Sequence, residues 1–270
     1  MLKKLLNGII IILIVSIGLS IVGIFVLDGM AQSLIQTKGS EGLGVPIKFG
    51  HVHVGVFSNK SSFSDLKIGN PEKYVTEETP NLLIMKSASI EFSVFQLFDE
   101  EAVIPTTIIE GVVLNLQQTD GDSNVEMVIN HIVADDKPKE PHPQPPFNIE
   151  TFIIRDITVV ASGKFTILET GRVTAHIDEI VMHNVGSDGN TEVATEKITA
   201  VITEAIIQNL ANHPVEGFSK IVIKEILGVF NGVPVLQQIG DVLQGATDAI
   251  GRVVDGALDA LGNILDGGKK

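Results

Sequence analysis

His51 and His53 are the residues whose spacing could most directly support chemistry. They are two positions apart in a stretch of alternating apolar residues, so on a β-strand both side chains would lie on one face. Two imidazoles in that arrangement can bind a transition metal. The sequence indicates no third ligand, which a metal site in a protein normally needs. We therefore expect two polar, outward-facing side chains beside an irregular point in the strand, and no metal site.

The other ionisable residues show no pattern that is typical of catalysis. No serine lies in a G-x-S-x-G nucleophile turn, and no glycine-rich stretch resembles a phosphate-binding loop. The chain contains no cysteine, which excludes disulfides, thiolate zinc sites and thiol nucleophiles. The remaining histidines are scattered: His131, His142, His176, His183 and His213. We predict that the protein is not an enzyme and has no catalytic residue, metal site or cofactor.

A long uncharged stretch precedes the rest of the chain. Leu5 to Leu27 form a run of 23 residues without a charge, between Lys4 and Asp28. At 1.5 Å per residue, a helix of this length spans about 34 Å, enough for a hydrocarbon core of ~30 Å. We predict a transmembrane anchor whose lipid-facing residues include Ile9, Ile10, Ile11, Ile12, Leu13, Ile14, Val15, Ile24, Phe25, Val26 and Leu27.

The alternative for this stretch is a cleaved signal peptide. The apolar run is longer than the 7–15 residues usual for such a peptide, and no clear small-residue cleavage site follows it. A retained anchor is therefore favoured. Because Lys3 and Lys4 flank its start, the positive-inside rule places the N-terminus in the cytoplasm and the bulk of the chain across the membrane.

The charge balance excludes two classes of partner. The chain has 19 Lys and Arg against 33 Asp and Glu, a formal net charge of −14. Nucleic acids, and anionic bilayers held by charge alone, need an excess of basic residues. We expect no nucleic-acid partner.

Apolar alternation predicts six strand regions between about residues 45 and 185. In the first region the alternation changes phase near Gly50 and His51, which indicates a β-bulge. Asn124 is a plausible N-cap for a short helix, and the proline-rich stretch 134–147 predicts a solvated linker. We divide the chain into an anchor with a short helical extension (1–38), which ends at a break at Gly39-Ser40, a β domain (39–190) and a C-terminal helical region (191–270).

The C-terminal region has the apolar spacing of helices. One helix is predicted from about residue 191 to 210 and a second from about 215 to 230. GDVLQGATDAI (240–250) and GRVVDGALDAL (251–261) then form an eleven-residue repeat, which is close to three turns of a straight helix. This amphipathic segment could pack on protein or lie on a membrane surface. Its polar face is acidic, which favours packing on protein.

Three stretches resemble the AsmA family. GSEGLGVPIKFGHVHVGVFSNKSSFSDLKIGNPEKY (39–74) is similar to the opening of these proteins, with Lys73 and Tyr74 in place of the usual glycine and phenylalanine. IIEGVVLNLQQTDGDSNVEMVINHI, which lacks a usual proline at Val112, and FIIRDITVVASG resemble two later segments. The chain is therefore identified as a short AsmA-like protein, related to the TamB and YhdP repeating β-groove proteins.

The resemblance implies a fold and a function. The fold would be α+β: an N-terminal transmembrane helix, a curved antiparallel β-sheet shaped like a taco or groove, and C-terminal amphipathic helices. The protein would sit in the inner membrane with its bulk in the periplasm. It would hold phospholipid acyl chains in envelope lipid transport and outer-membrane biogenesis, with envelope protein partners unknown. The expected groove-lining residues are Ile47, Phe49, Val52, Val54, Phe63, Leu66, Ile68, Ile90, Phe92, Val94, Val112, Leu114, Ile157, Val159 and Ile177.

A second interpretation of the same pattern is a non-enzymatic scaffold. No long helix is predicted between the strands to cover the apolar face, so this face must be covered by curling, by lipid or by the C-terminal helices. If the C-terminal helices fill it, no acyl chain enters. The two interpretations stay open at the level of sequence.

Overall fold

The computed structural model describes residues 28–55, 58–92, 102–135, 147–167, 171–187 and 195–230. The predicted anchor, Val94, most of the proline-rich stretch and the eleven-residue repeat lie outside these residues. Within them the fold is α+β, with one curved and open β-sheet. Among the described residues, no helix is both long enough and apolar enough to cross a membrane.

The described part of the first helix, α1, covers residues 28–43. The other helices are α2 (Asn124–Asp135), α3 (Thr195–Asn212) and α4 (Lys220–Phe230), and a 3-10 turn covers Glu72–Tyr74. The strands are β1 (Ile47–Lys48), β2 (His51–His53), β3 (Ser61–Gly69), β4 (Asn81–Ile90), β5 (Ala102–Gln118), β6 (Phe147–Gly163) and β7 (Arg172–Ser187).

The sheet is mixed, so the prediction of a purely antiparallel sheet is wrong. The strand order is β1-β3-β4-β5-β6-β7, with β2 also paired to β3. All pairs are antiparallel except β5 and β6, which run parallel along their whole length. A parallel pair needs a crossover of a dozen or more residues. The chain between Gln118 and Phe147 provides it and contains α2.

The regular pairing between strands skips one residue in each strand. These skipped residues are aligned across the sheet. The pairing skips one position between Ser64–Ser87 and Leu66–Met85, and the skipped position recurs in line on β5, β6 and β7. Three members of this row have positive φ, at 52° for Asp65, 66° for Gly111 and 53° for Asp156. We call the aligned set the kink row: Gly50, Asp65, Lys86, Gly111, Asp156 and Asp178.

At the kink row, the alternation of inward-facing and outward-facing side chains shifts by one residue. The paired strands keep their register, so neither strand contains an extra residue at this point. On β5, for example, Ile109 and Val112 are both buried although they are three positions apart. The predicted bulge near Gly50 and His51 is therefore a kink, because β1 and β2 pair with β3 in one unbroken register. The buried face of the sheet continues across the kink row.

The apolar face of the sheet packs under three helices. The inward side chains of the strands and those of α2, α3 and α4 form a single hydrophobic core. α3 contacts β7 and α4, and α2 contacts β5 and α4. Every residue from Thr199 to Ile207 of α3 is buried, so this helix is covered on all sides.

Three predicted helix boundaries are wrong, each for a local reason. α1 continues through Gly39-Ser40 to residue 43 and ends at Gly44, whose φ of 66° is a left-handed helix terminus. α2 is capped by Ser123 rather than Asn124, since Ser123 and Glu126 exchange hydrogen bonds between side chain and backbone. α4 begins at Lys220 because the residues before it form a turn that bonds to Phe165.

Candidate functional site

The first described residues of α1 are fixed to the edge of the sheet by a buried carboxylate. Asp28, one residue beyond the apolar stretch, accepts a hydrogen bond of 2.7 Å from the Val54 backbone N–H through Oδ1. Its Oδ2 lies 3.3 Å from His53 Nδ1. Gln32, one turn further along, donates to the Phe49 carbonyl oxygen at 3.3 Å. These contacts hold the end of β2 directly beside the point where the apolar stretch ends.

The other end of α1 is held by α2. His131 Nε2 donates to the Glu41 carbonyl oxygen at 3.0 Å, and the His131 ring packs against Gly44 so closely that a Cβ there would lie 2.8 Å from it. The Ser40 hydroxyl accepts from the Ile47 N–H at 2.8 Å. α1 is therefore attached to the body of the domain at both of its described ends.

The outer side of α1 carries an apolar cleft. Met30 and Leu34, one turn apart, are 64% and 62% exposed. With Val54 from the end of β2 they line a shallow space of about 590 Å³. Lys38 lies one turn beyond Leu34 and forms an exposed ion pair of 3.0 Å with Glu41. We call this feature the α1 cleft; it is lined by Met30, Ala31, Ser33, Leu34, Thr37, Lys38 and Val54.

A second cleft, of about 360 Å³, lies on the outer face of the sheet beside the kink row. Serine hydroxyls from β3 and β4 line it, with His51 and Glu110 among its other residues. The neighbouring Arg155 pairs with Glu179 at 2.6 Å. The lining also includes the apolar side chains of Phe63, Ala88 and Ile108. Among the described residues no group of three His, Asp, Glu or Cys side chains could hold a metal ion. His53 contacts Asp28, whereas His51 lines this cleft.

Most of the described residues that were predicted to line a groove are buried in the core. Val54, Phe63 and Ile177 are half-buried against that core, and Ile90 and Phe92 are also half-buried. The rest of the described set is buried under 10% exposed: Ile47, Phe49, Val52, Leu66, Ile68, Val112, Leu114, Ile157 and Val159. The apolar face that they form is occupied by side chains of this chain.

Two polar side-chain atoms of α3 are buried without a hydrogen-bond partner among the described residues. They are Glu204 Oε2 and Gln208 Oε1, which lie one turn apart. Burial raises the pKa of Glu204 to about 7, since the charged form loses its hydration. Each unpaired buried acceptor costs about 1–3 kcal/mol. The packing of α3 in the core therefore carries a local cost in folding free energy.

A fully bonded amide network joins β3, β5 and α2. The Asn124 side chain donates to the Asn70 side chain at 2.9 Å and to the Asn115 carbonyl oxygen at 2.7 Å. Asn70 in turn donates to the Thr79 carbonyl oxygen at 2.8 Å. Because its members are buried and paired, this network fixes the start of α2 on the sheet.

The fold defines a class: an α+β domain with one open, curved sheet whose apolar face is closed by helices. No protein-family model matches the chain. No curated protein and no solved structure matches it either.

Two features of the site were absent from the sequence predictions although each left a signal. The spacing of Met30 and Leu34 places both on one side of a helix directly after an apolar stretch. Glu204 interrupts the run ITAVITEAII, which has no polar face of its own. A helix without a polar face is normally buried on all sides.

Proposed function

We propose that the protein is a non-enzymatic, membrane-anchored protein whose closed α+β domain is held at the surface of the bilayer. One observation carries this proposal: Asp28, next to the apolar stretch, is buried and bonded to the end of β2. A carboxylate that pairs with a backbone N–H and a histidine restrains α1 against the sheet. The domain would then follow the orientation of the anchor instead of swinging on a free linker.

The filled sheet favours a scaffold over an open lipid groove. An acyl chain could reach the buried face of the sheet only if helices that share its core moved away. Displacing α3 alone would expose five large aliphatic side chains, each worth about 1.5–3 kcal/mol of burial: Val201, Ile202, Ile206, Ile207 and Leu210. The total, roughly 8–15 kcal/mol, equals the whole stability of a typical domain. A lipid chain that leaves an equally apolar bilayer supplies no such gain.

Crosslinking to lipid tests this proposal. The full chain would be reconstituted into phospholipid vesicles that contain a lipid with a photoreactive acyl chain. Vesicle flotation measures attachment, and mass spectrometry of peptides maps the crosslinks. We expect flotation with the vesicles and no crosslinks on the inward residues of β5 and β6. A chain that stays with the soluble fraction would contradict the anchor, and crosslinks at Leu114 or Val159 would contradict the closed scaffold.

A second candidate function is the holding of acyl chains during envelope lipid transport, which the AsmA resemblance implies. The apolar α1 cleft favours it, because its exposed residues Met30 and Leu34 follow the apolar stretch by three and seven positions. In this case lipid contacts would lie on α1, outside the closed core. The same crosslinking map separates the two functions, since a pure scaffold gives no adducts on the 28–43 peptide beyond those on other exposed segments.

A further inference from the structure

The two edges of the sheet differ in how they are covered. At the β1–β2 edge, side chains of α1 bond to backbone groups: Ser40 to the Ile47 N–H, Gln32 to the Phe49 carbonyl oxygen and Asp28 to the Val54 N–H. At the opposite edge, β7 is the last of the described strands and pairs with β6 on one side only. The other side of an edge strand is a template on which a further strand can pair.

β7 contains two kinks, which restrict the strands that can pair with it. The first is Asp178, in the kink row, and the second is Asn184, where the pairing with Glu150 is skipped. In every antiparallel pair at a kink, one residue has positive φ and its partner does not: Asp65 with Gly50 and Lys86, Gly111 with Lys86, Asp156 with Asp178, and Asn184 with Glu150. By the same pattern, a strand added to β7 would place a residue of positive φ opposite Asp178 and one without it opposite Asn184.

We propose that β7 pairs antiparallel with β7 of a second copy of this chain, about a two-fold axis through Val181. In this register Asp178 of each copy lies opposite Asn184 of the other, so both kinks find the partner that the pattern demands. Residues 176–186 would pair, over a length of about 37 Å at 3.4 Å per residue.

Other registers conflict with the two faces of the strand. Ile177 packs against the core, whereas Glu179 is exposed. Pairing Asp178 with its own copy would set Ile177 opposite Glu179, although residues opposite each other share one face of a sheet. Pairing Asn184 with its own copy fails in the same way. A register shifted by two residues would keep the faces but place each kink opposite a regular part of the strand.

The side chains also match across this axis. Ile180 would lie opposite Met182 on the buried face, and Glu179 would lie opposite His183 on the exposed face. No carboxylate would face its own copy. This matters in a chain of net charge −14, since like charges directly opposite each other destabilise a sheet.

An apolar row on the outer face of the sheet ends at this edge. Ile108, Ile153 and Val181 lie side by side on β5, β6 and β7, and all three are half-buried. The two-fold axis would join this row to the same row of the second copy, with Val181 beside its own copy at the centre. Cross-strand pairs of β-branched residues stabilise a sheet.

Disulfide formation between copies tests this pairing, because the chain has no cysteine of its own. Directly opposite residues have Cα atoms about 4.5–5.5 Å apart, a distance that a disulfide spans. The full chain with Val181→Cys, purified in mild detergent and oxidised, should therefore give a linked dimer. Ile153→Cys is the matched control, since it lies in the same apolar row but three strand spacings, about 14 Å, from its copy. The linked fraction should be about tenfold higher, or more, from Val181→Cys.

A mixed sample tests the register. Chains with Glu179→Cys and chains with His183→Cys should each stay unlinked alone and form a linked dimer when oxidised together. Linkage of Glu179→Cys to its own copy would overturn the proposed axis. Equal linkage from Val181→Cys and Ile153→Cys would show random collision and refute the interface. A Val181→Cys chain that stays monomeric would show that another segment, such as residues 231–270, closes this edge, and would also refute it.

A charge at the axis provides a test without cysteine. Val181→Lys should lower the dimer fraction in analytical ultracentrifugation by about tenfold, because it sets two like charges opposite each other. Thr174→Lys, at an exposed position of β7 outside the paired residues, is the control and should leave the fraction unchanged. Equal dimer fractions for the two variants, both with the circular dichroism spectrum of the wild type, would contradict pairing at β7. The cysteine variants decide the question if Val181→Lys does not fold.

Discussion

Replacing Glu204 tests how the buried carboxyl on α3 affects the folding stability of the protein at different pH values. Burial raises the pKa of this carboxyl from 4.5 to about 7, so the folded protein favours the protonated form. The corresponding stability is fully present below pH 4.5 and is lost as the pH rises through 7. The full shift is equivalent to about 3 kcal/mol, which partial solvent screening reduces to about 1–3 kcal/mol. Glu204→Gln removes this titration and keeps the shape of the side chain.

The assay is thermal unfolding of the full chain in a mild detergent, followed by circular dichroism at pH 5, 6, 7 and 8. The melting temperature of Glu204→Gln should exceed that of the wild type by an amount that grows with pH. It should reach about 2–12 °C at pH 8, because each kcal/mol shifts the melting temperature by about 2–4 °C. Glu216→Gln, at an exposed position before α4, is the control and should show no such trend. A Glu204→Gln difference that is constant between pH 5 and 8 would refute the argument.

Three further substitutions, with Gly228→Ala as a control, test the kink row, the amide network and the contact at Asp28. Gly111→Ala should lower the free energy of unfolding by about 1–3 kcal/mol in denaturant titrations, because the glycine has positive φ and its Cβ would lie 2.7 Å from that of Lys86. Gly228→Ala, in the open interior of α4, should instead raise it by about 1 kcal/mol. Asn124→Leu should cost about 2–4 kcal/mol, since it leaves buried partners unpaired, and an unchanged stability would contradict the role of the network. Asp28→Ala should speed hydrogen exchange at the Val54 amide by about tenfold or more, and equal rates would show that the carboxylate does not hold the sheet edge.

Local periodicity was enough to predict most of the elements. The strands from β3 to β7, the short helix at residue 124 and the helices near 195–212 and 220–230 were all recognised from apolar spacing. Strand pairing was not predictable in the same way. The parallel pairing of β5 and β6 depends on where the crossover chain runs, which no spacing within either strand records.

The length of α1 shows how tertiary contacts override local preference. Glycines at positions 39 and 42 predicted a break, because each costs about 1 kcal/mol in a helix interior. Both are buried in the structure, and α1 continues to Leu43, which is fully buried. Packing of the helix end against His131 offsets the backbone cost. The glycines that disfavour the helix are local in the sequence. The contact that compensates for them comes from His131, which lies about 90 residues away along the chain.

The kink row shows how the sheet keeps one continuous buried face although the alternation along each strand changes phase. Each strand shifts its buried set by one residue at the same level, so the apolar face bends without a gap. The bend is set by backbone conformation at Asp65, Gly111 and Asp156, which needs no bound molecule to hold it. The change of phase predicted near Gly50 is one member of this set. In the other strands it is visible in the sequence as two buried apolar residues three positions apart: Met85 and Ala88, Ile109 and Val112, and Ile154 and Ile157. The buried face that results is filled by side chains of α2, α3 and α4, which share one core with the strands. Because this chain's own side chains close the buried face, the crosslinks expected from a lipid on the surface of the domain fall outside this core.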